Sequence, residues 1–177
     1  MEDEKKDIDI DEIEEGKLWL GSFDPENVKV LKEKGIKNIL TIMDDGDPSK
    51  ISYKEHGFNQ KVIDIMDYES KNIIQYFGEC LNFLEGEEKV FVHCAAGISR
   101  SPTIVIAYIM WKNEMTFGKA YDFVKQKRPD IYPNYGFQKQ LKMFEKLLFE
   151  NDFDINNIDF KSIKWIPPEH SGYYSGY

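Results

Sequence analysis

The chain has 177 residues, 41% hydrophobic and 14% aromatic, which suits one domain with a full core and leaves too little for two. A net charge of −9 argues against nucleic acid or an anionic membrane as the main partner, because either needs a basic face, and it disfavours highly phosphorylated substrates. Two cysteines make no disulfide framework. No segment approaches the roughly 18 uninterrupted apolar residues of a membrane span. The start Met1-Glu2-Asp3-Glu4 is no signal peptide, and Glu2 excludes the usual myristoylation pattern. A cytoplasmic protein, also compatible with the nucleus and monomeric by default, is expected.

Residues 1–15 are dominated by Asp, Glu and Lys and read as a flexible leader, with the Ile8/Ile10 alternation leaving room for a short docked strand. Residues 18–20 read as a strand and 25–34 as a helix ended by Gly35. Residues 36–43 form an apolar strand that runs into the turn-rich Asp44-Asp45-Gly46-Asp47-Pro48. The next strand is expected at 61–66. Residues 70–84 carry Ile73, Phe77, Cys80 and Leu84 at helical spacing, which places Cys80 in a core stripe. Residues 90–93 read as a buried strand, and 101–112 as an almost wholly apolar helix that must sit in the core. Thr116 is placed to cap a helix through 127, and 135–150 is the last long one. The folded domain is thus expected over 16–150, with 151–177 an extension whose aromatic content (Trp165, Tyr173, Tyr174, Tyr177) suits packing back on the domain or binding something. Alternating strands and helices predict an α/β fold: a central, mostly parallel twisted sheet of about five strands flanked by helices. Ligands in such sheets sit beyond the carboxyl ends of strands, where residue 94 falls.

At that position lies Val92-His93-Cys94-Ala95-Ala96-Gly97-Ile98-Ser99-Arg100-Ser101. A loop of this length can fold into a cradle whose backbone N–H groups converge on one oxyanion, with the positive end of the following helix aimed at the same spot. That field favours a thiolate, making Cys94 a nucleophile. Arg100 offers a planar fork for two phosphoryl oxygens. Only Arg100 and Arg128 are arginines among 23 basic residues, so placing one of them in this loop has a mechanical meaning. The simplest chemistry these residues support is attack of sulfur on a phosphate ester.

His-Cys-Ala-Ala-Gly-Ile-Ser-Arg-Ser resembles the signature loop of the dual-specificity phosphatases, within the cysteine-based protein tyrosine phosphatase superfamily. Leu18-Trp19-Leu20-Gly21-Ser22 resembles the family's opening strand, and Arg128-Pro129 through Pro133-Asn134-Tyr135-Gly136-Phe137 and Gln140-Leu141 resembles the segment beyond the signature helix. The likeness spans roughly residues 15 to 148 and implies a small, atypical member. It implies Cys94 as nucleophile through a phosphocysteine, with Arg100 and the amides of Ala95, Ala96, Gly97, Ile98, Ser99 and Arg100 binding the phosphoryl group. Ser101 would stabilise the departing thiolate, His93 would hold the loop and activate the thiol, and Asn134 would brace the loop. No cofactor or metal is implied, and no cluster with metal-ligand spacing is evident. The proton for the leaving oxygen must come from a carboxylic acid elsewhere. Asp67 aligns with the family acid, while Asp64 within the strand and the Asp44, Asp45 and Asp47 cluster are the other candidates. Arg128 lines the entrance or serves structure, and structure is the preferred reading.

Ala95, Ala96 and Ile98 put no lysine inside the loop, unlike phosphoinositide-directed relatives, so a phosphorylated protein carrying phosphotyrosine and phosphoserine or phosphothreonine is the expected substrate. The same chemistry on a glucan, an RNA 5′-end or an inositol lipid, and a silent phosphoresidue-binding module, are the alternatives. A rhodanese-like loop would not explain Ala-Gly-Ile-Ser-Arg-Ser or Pro133-Asn134. A reversible disulfide between Cys80 and Cys94 is a minority reading beside core packing.

Overall fold

The computed structural model describes residues 8–44 and 52–169. Along the chain run β1 (Ile10–Glu14), β2 (Leu18–Gly21), α1 (Asn27–Glu33), β3 (Asn38–Ile42), β4 (Asn59–Ile63), α2 (Phe77–Gly86), β5 (Val90–His93), α3 (Arg100–Lys112), α4 (Phe117–Lys127) and α5 (Tyr135–Glu150). The strands form one sheet in the order β1-β2-β5-β3-β4. β1 is antiparallel to β2, and every other pairing is parallel. This is the α/β sheet that the sequence pattern predicts.

β5 occupies the centre, so its side chains are buried on both faces. Val90 and Val92 join the larger core with α2, α3, α4 and α5, whereas Phe91 joins Trp19, Leu31, Ile39 and Tyr53 on the face covered by α1. α3 packs across the sheet and is enclosed by α2, α4 and α5. Residues Arg100 to Met110 are accordingly all buried, which is why the sequence of this helix shows almost no polar stripe.

The structure differs from the sequence expectation in three places. Part of the acidic leader, expected to be flexible, is strand β1; residues 1–7 and the Asp45 and Asp47 candidates lie outside the described residues. An edge strand is held by its main-chain ladder and tolerates charged side chains, so two apolar contacts suffice here: buried Ile13 in the larger core and half-buried Ile10 against the cluster around Phe91. β4 begins earlier and ends at Ile63, paired with Ile42, so Asp64 lies past the strand and not within it. A single helical turn (Ile74–Tyr76) precedes α2, later than expected, because the buried side-chain oxygen of Gln140 in α5 accepts from the Ile73 and Ile74 amides and fixes the start. Packing back on the domain, one of the two roles expected for the extension, is seen in its described part, through single turns at Ile155–Asn157 and Phe160–Ser162 with Ile155, Ile158 and Phe160 in the core; Tyr173, Tyr174 and Tyr177 lie outside the described residues.

Candidate active site

β5 delivers Cys94 at its carboxyl end, and α3 starts at Arg100, so Cys94 to Ser99 must turn within one loop. Each carbonyl of that loop is taken by a donor outside it. Cys94 O accepts from His93 Nδ1 at 3.1 Å, Ala95 O from the Phe23 amide at 3.0 Å, and Ile98 O from the Tyr132 amide at 2.7 Å. Arg128 reaches the two between, donating from Nε to Gly97 O at 2.9 Å and from Nη2 to Ala96 O at 3.2 Å. Ser99 O accepts from the amide and the hydroxyl of Thr103. In a trans peptide the N–H points opposite the C=O of its own plane. Carbonyls fixed outward therefore turn the amides of Ala95 through Arg100 inward, and among the described residues none of these amides donates a hydrogen bond. The result is an oxyanion cradle at the amino end of α3.

Gly97 permits this turn. Its φ is +66°, and a Cβ there would sit 2.5 Å from the Gly21 carbonyl oxygen and 2.7 Å from Arg128 Nη2. Arg128, expected to be structural, is a clamp on the loop. Its Nη1 also donates to Asp9 Oδ1 at 2.6 Å and Asp11 Oδ2 at 2.9 Å, tying the leader strand to the cradle. Burial works against the charge on Arg128, but its bonds to Asp9 and Asp11 outweigh that and raise its affinity for the proton.

The cysteine lies at the base of the cradle, 3% exposed, with Ser101 Oγ donating to its sulfur at 3.1 Å. Behind it runs a polar chain from half-buried Gln60 to the buried Thr41 and His93. Gln60 donates to Thr41 Oγ1, which lies 2.7 Å from His93 Nε2. Cys94 O can only accept, so the neutral His93 ring carries its proton on Nδ1 and donates it there, which leaves Nε2 to accept from the Thr41 hydroxyl. Burial, reinforced by Arg100, lowers the His93 pKa to about 4 despite that bond, which keeps the ring neutral.

Arg100 is buried, and its Nη1 donates to Ile65 O at 3.1 Å and lies 3.4 Å from Asp44 Oδ2. Its Nε is buried without a partner among the described residues, an orphan donor that an anionic oxygen would satisfy. Asp44, weighed as an acid, here orients the arginine. Asp44, Met66, Asp67, Tyr68 and Arg100 line an open depression of about 290 Å³ beside the loop.

Asp67 follows β4 on an exposed loop, and its Oδ1 accepts from Ser99 Oγ at 2.7 Å and Asn134 Nδ2 at 2.9 Å. Ser99 Oγ in turn accepts from the Asn134 amide. The Ser99 side chain, grouped by sequence with the phosphate-binding residues, therefore joins the Asp67 loop to the cradle. Asn134 also caps α5 by accepting from the Phe137 amide. Cys94, Arg100, Ser101, His93, Asp67 and Asn134 thus gather at one place, while Asp64 is exposed on the segment leading to Asp67. The supporting Thr41, Gln60 and Ile65 carbonyl were not identified from sequence, since nothing local marks a residue whose partner lies 35 or 52 positions away.

Cys80 lies fully buried in α2 and burial raises its thiol pKa; both cysteines are free. No group of three or more His, Cys, Asp or Glu side chains among the described residues is placed to hold a metal ion. No helix among them is long and apolar enough to cross a membrane.

Residues 18–147 match the family described as dual specificity phosphatase, catalytic domain. Over 138 residues the chain is 44% identical to human dual specificity protein phosphatase 7, covering 74% of this chain and 32% of that protein. It is 40% identical over 145 residues to Arabidopsis thaliana dual specificity protein phosphatase 1, covering 79% of this chain and 71% of the relative. It spans about a third of the length of the human relative it matches. Among solved structures, the human tyrosine phosphatase-like serine/threonine/tyrosine-interacting protein superposes with a TM-score of 0.74 at 35% identity, over 79% of this chain and 97% of that one. With the signature loop, the sheet order and this match agreeing, the chain belongs to the dual specificity phosphatase family.

Proposed function

We propose that this protein hydrolyses phosphate monoesters on proteins, at phosphotyrosine and at phosphoserine or phosphothreonine, through a phosphocysteine on Cys94. The outward anchoring of every carbonyl from Cys94 to Ser99 carries this reading, because a ring of free amides around a thiol is built for three equatorial phosphoryl oxygens. Arg100 supplies further donors, including the unpartnered Nε. In the first step the Cys94 sulfur bonds to phosphorus while the ester P–O bond breaks, and Asp67 gives its proton to the departing oxygen. In the second, Asp67 takes a proton from water as that water attacks phosphorus, and the P–S bond breaks with Ser101 donating to the leaving sulfur. Ala95, Ala96, Gly97, Ile98 and Ser99 bind through the main chain alone.

A protein substrate is supported by the lysine-free loop and by the surroundings of the site. Tyr68, Tyr132 and Tyr135 stand 57–65% exposed on the segments that carry Asp67, the Ile98 contact and Asn134. Exposed aromatic side chains suit a peptide better than a polyanion. We place the enzyme in the cytoplasm or nucleus as a monomer.

Hydrolysis of p-nitrophenyl phosphate with EDTA present, for the wild type and Cys94→Ser, tests the chemistry. Turnover abolished by the substitution is expected, and no turnover in reduced wild type would favour a binding module. Phosphopeptides assayed beside a phosphoglucan, a phosphoinositide and a 5′-triphosphate RNA test the substrate class, with the peptides expected to react fastest.

A further inference from the structure

Residues 163–168 lie beyond the segment matched to the family, yet they touch the loop that carries Asp67. The route is set by contacts along α5. After the helix ends, Phe153 O accepts from Trp111 at the far end of α3, then Phe160 packs against Phe144 midway along α5. The Phe160 ring lies over Gly78, where a Cβ would come within 2.7 Å of it. The chain has by then doubled back toward the start of α5, and there it meets the loop after β4. Ile163 O accepts from Asn72 Nδ2 at 2.7 Å, and Trp165 Nε1 donates to Glu69 O at 2.7 Å. Pro167 and Pro168 then face Tyr135 and Gly136 across a cavity of about 220 Å³ also lined by Glu69 and Ser70.

The loop needs such a hold. Met66 to Ser70 are all exposed, so core packing does not fix them. The loop rests directly on the first turn of α5, since a Cβ at Gly136 would lie 2.1 Å from the Glu69 carbonyl oxygen. The indole N–H of Trp165, the only donor of its side chain, bonds that same carbonyl. Glu69 O, two residues past Asp67, thus meets both Gly136 and Trp165. The prolines after Trp165 stiffen the grip by restricting their own φ.

We propose that the segment 163–168 is a strap that holds the Asp67 loop in its proton-donating position, with Trp165 as the positioning residue. The proposal rests on Asp67 being the general acid. A strap acting through the acid must affect substrates in proportion to how much their leaving group needs a proton. 2,4-Dinitrophenolate leaves well unprotonated, and phenolate does not. A purely structural contribution would lower both rates alike.

The test is kcat/KM for 2,4-dinitrophenyl phosphate and phenyl phosphate, measured on the 177-residue chain as wild type, Trp165→Phe and Asp67→Asn. Thermal melts confirm that each variant is folded. Trp165→Phe keeps an aromatic ring and removes the donor together with the five-membered ring that carries it. It is expected to lose about tenfold on phenyl phosphate and less than about twofold on the dinitrophenyl ester, in line with the sensitivity of proton transfer to sub-ångström placement. Asp67→Asn is expected to show the same split with about a hundredfold loss on phenyl phosphate. An equal loss on both esters, or none, in Trp165→Phe beside a clear split in Asp67→Asn overturns the strap alone. Absence of a split in Asp67→Asn removes Asp67 as the acid and the strap with it. If Trp165→Phe melts early, Asn72→Ser, which releases the neighbouring Ile163 anchor, must show the split or the strap is again overturned.

Discussion

The Ser101 hydroxyl donates to the Cys94 sulfur across 3.1 Å, from the first turn of α3. This bond gains most when the sulfur bears full charge, which happens as the P–S bond of the phosphoenzyme breaks. Ser101→Ala should therefore slow the second chemical step more than the first, by about 10- to 100-fold, the worth of one hydrogen bond to a charged group. Stopped-flow traces with p-nitrophenyl phosphate are expected to show a burst of nitrophenol in the variant that is absent in the wild type.

Arg128 holds two loop carbonyls and two aspartates while itself only 3% exposed. Arg128→Ala leaves Ala96 O and Gly97 O without a donor, and the expected cost is about 3 kcal/mol in urea unfolding. Asp9 is 49% exposed, so Asp9→Asn should cost less than about 1 kcal/mol. Arg128→Lys keeps the charge and loses the fork, and a raised KM for aryl phosphates is its expected signature.

His93 titrates near 4 in the folded chain against an ordinary 6.5, chiefly through burial. Below 6.5 the unfolded chain takes up a proton that the folded one refuses, so the stability linked to His93 is complete above 6.5 and is lost as pH falls toward 4. The full loss is about 3 kcal/mol. Urea midpoints should fall through this window, and the fall should be shallower in His93→Asn.

Asn134 does two jobs that substitution can separate, capping α5 through Oδ1 and donating to Asp67 from Nδ2. Asp is an equally good cap, so Asn134→Asp should stay within about 0.5 kcal/mol of wild-type stability. It replaces a donor to Asp67 with a second carboxylate, and kcat/KM for phenyl phosphate is expected to drop about tenfold by like-charge repulsion and lost positioning.

Much of the fold and of the site is legible in the sequence because it is local. The apolar run before Cys94, the glycine between it and Arg100, and the strand-helix alternation all act over a few residues, and the sheet and cradle follow from them. Contacts over long separations left no such trace. β1 reads as an acidic leader because its hold comes from the main-chain ladder and from Arg128, which meets Asp9 119 positions away. The start of α2 depends on Gln140, 67 residues on, and the hold on Glu69 depends on Trp165, 96 residues on. The sequence reads Asp64 as lying inside a strand because Ile63, Ile65 and Met66 prolong the apolar run, but Ile65 is buried after the strand ends, with its carbonyl on Arg100. Ser99 shows the same limit at close range, since its membership of the loop was evident and its bond to Asp67 was not.

The most direct measurement is to quench Ser101→Ala during turnover of a phosphotyrosine peptide and map the phosphate by mass spectrometry. Phosphate on the peptide containing Cys94, absent when Cys94→Ser is added to the background, is the expected result. Continued turnover with no phosphate on Cys94 at any quench time would contradict covalent catalysis at this cysteine.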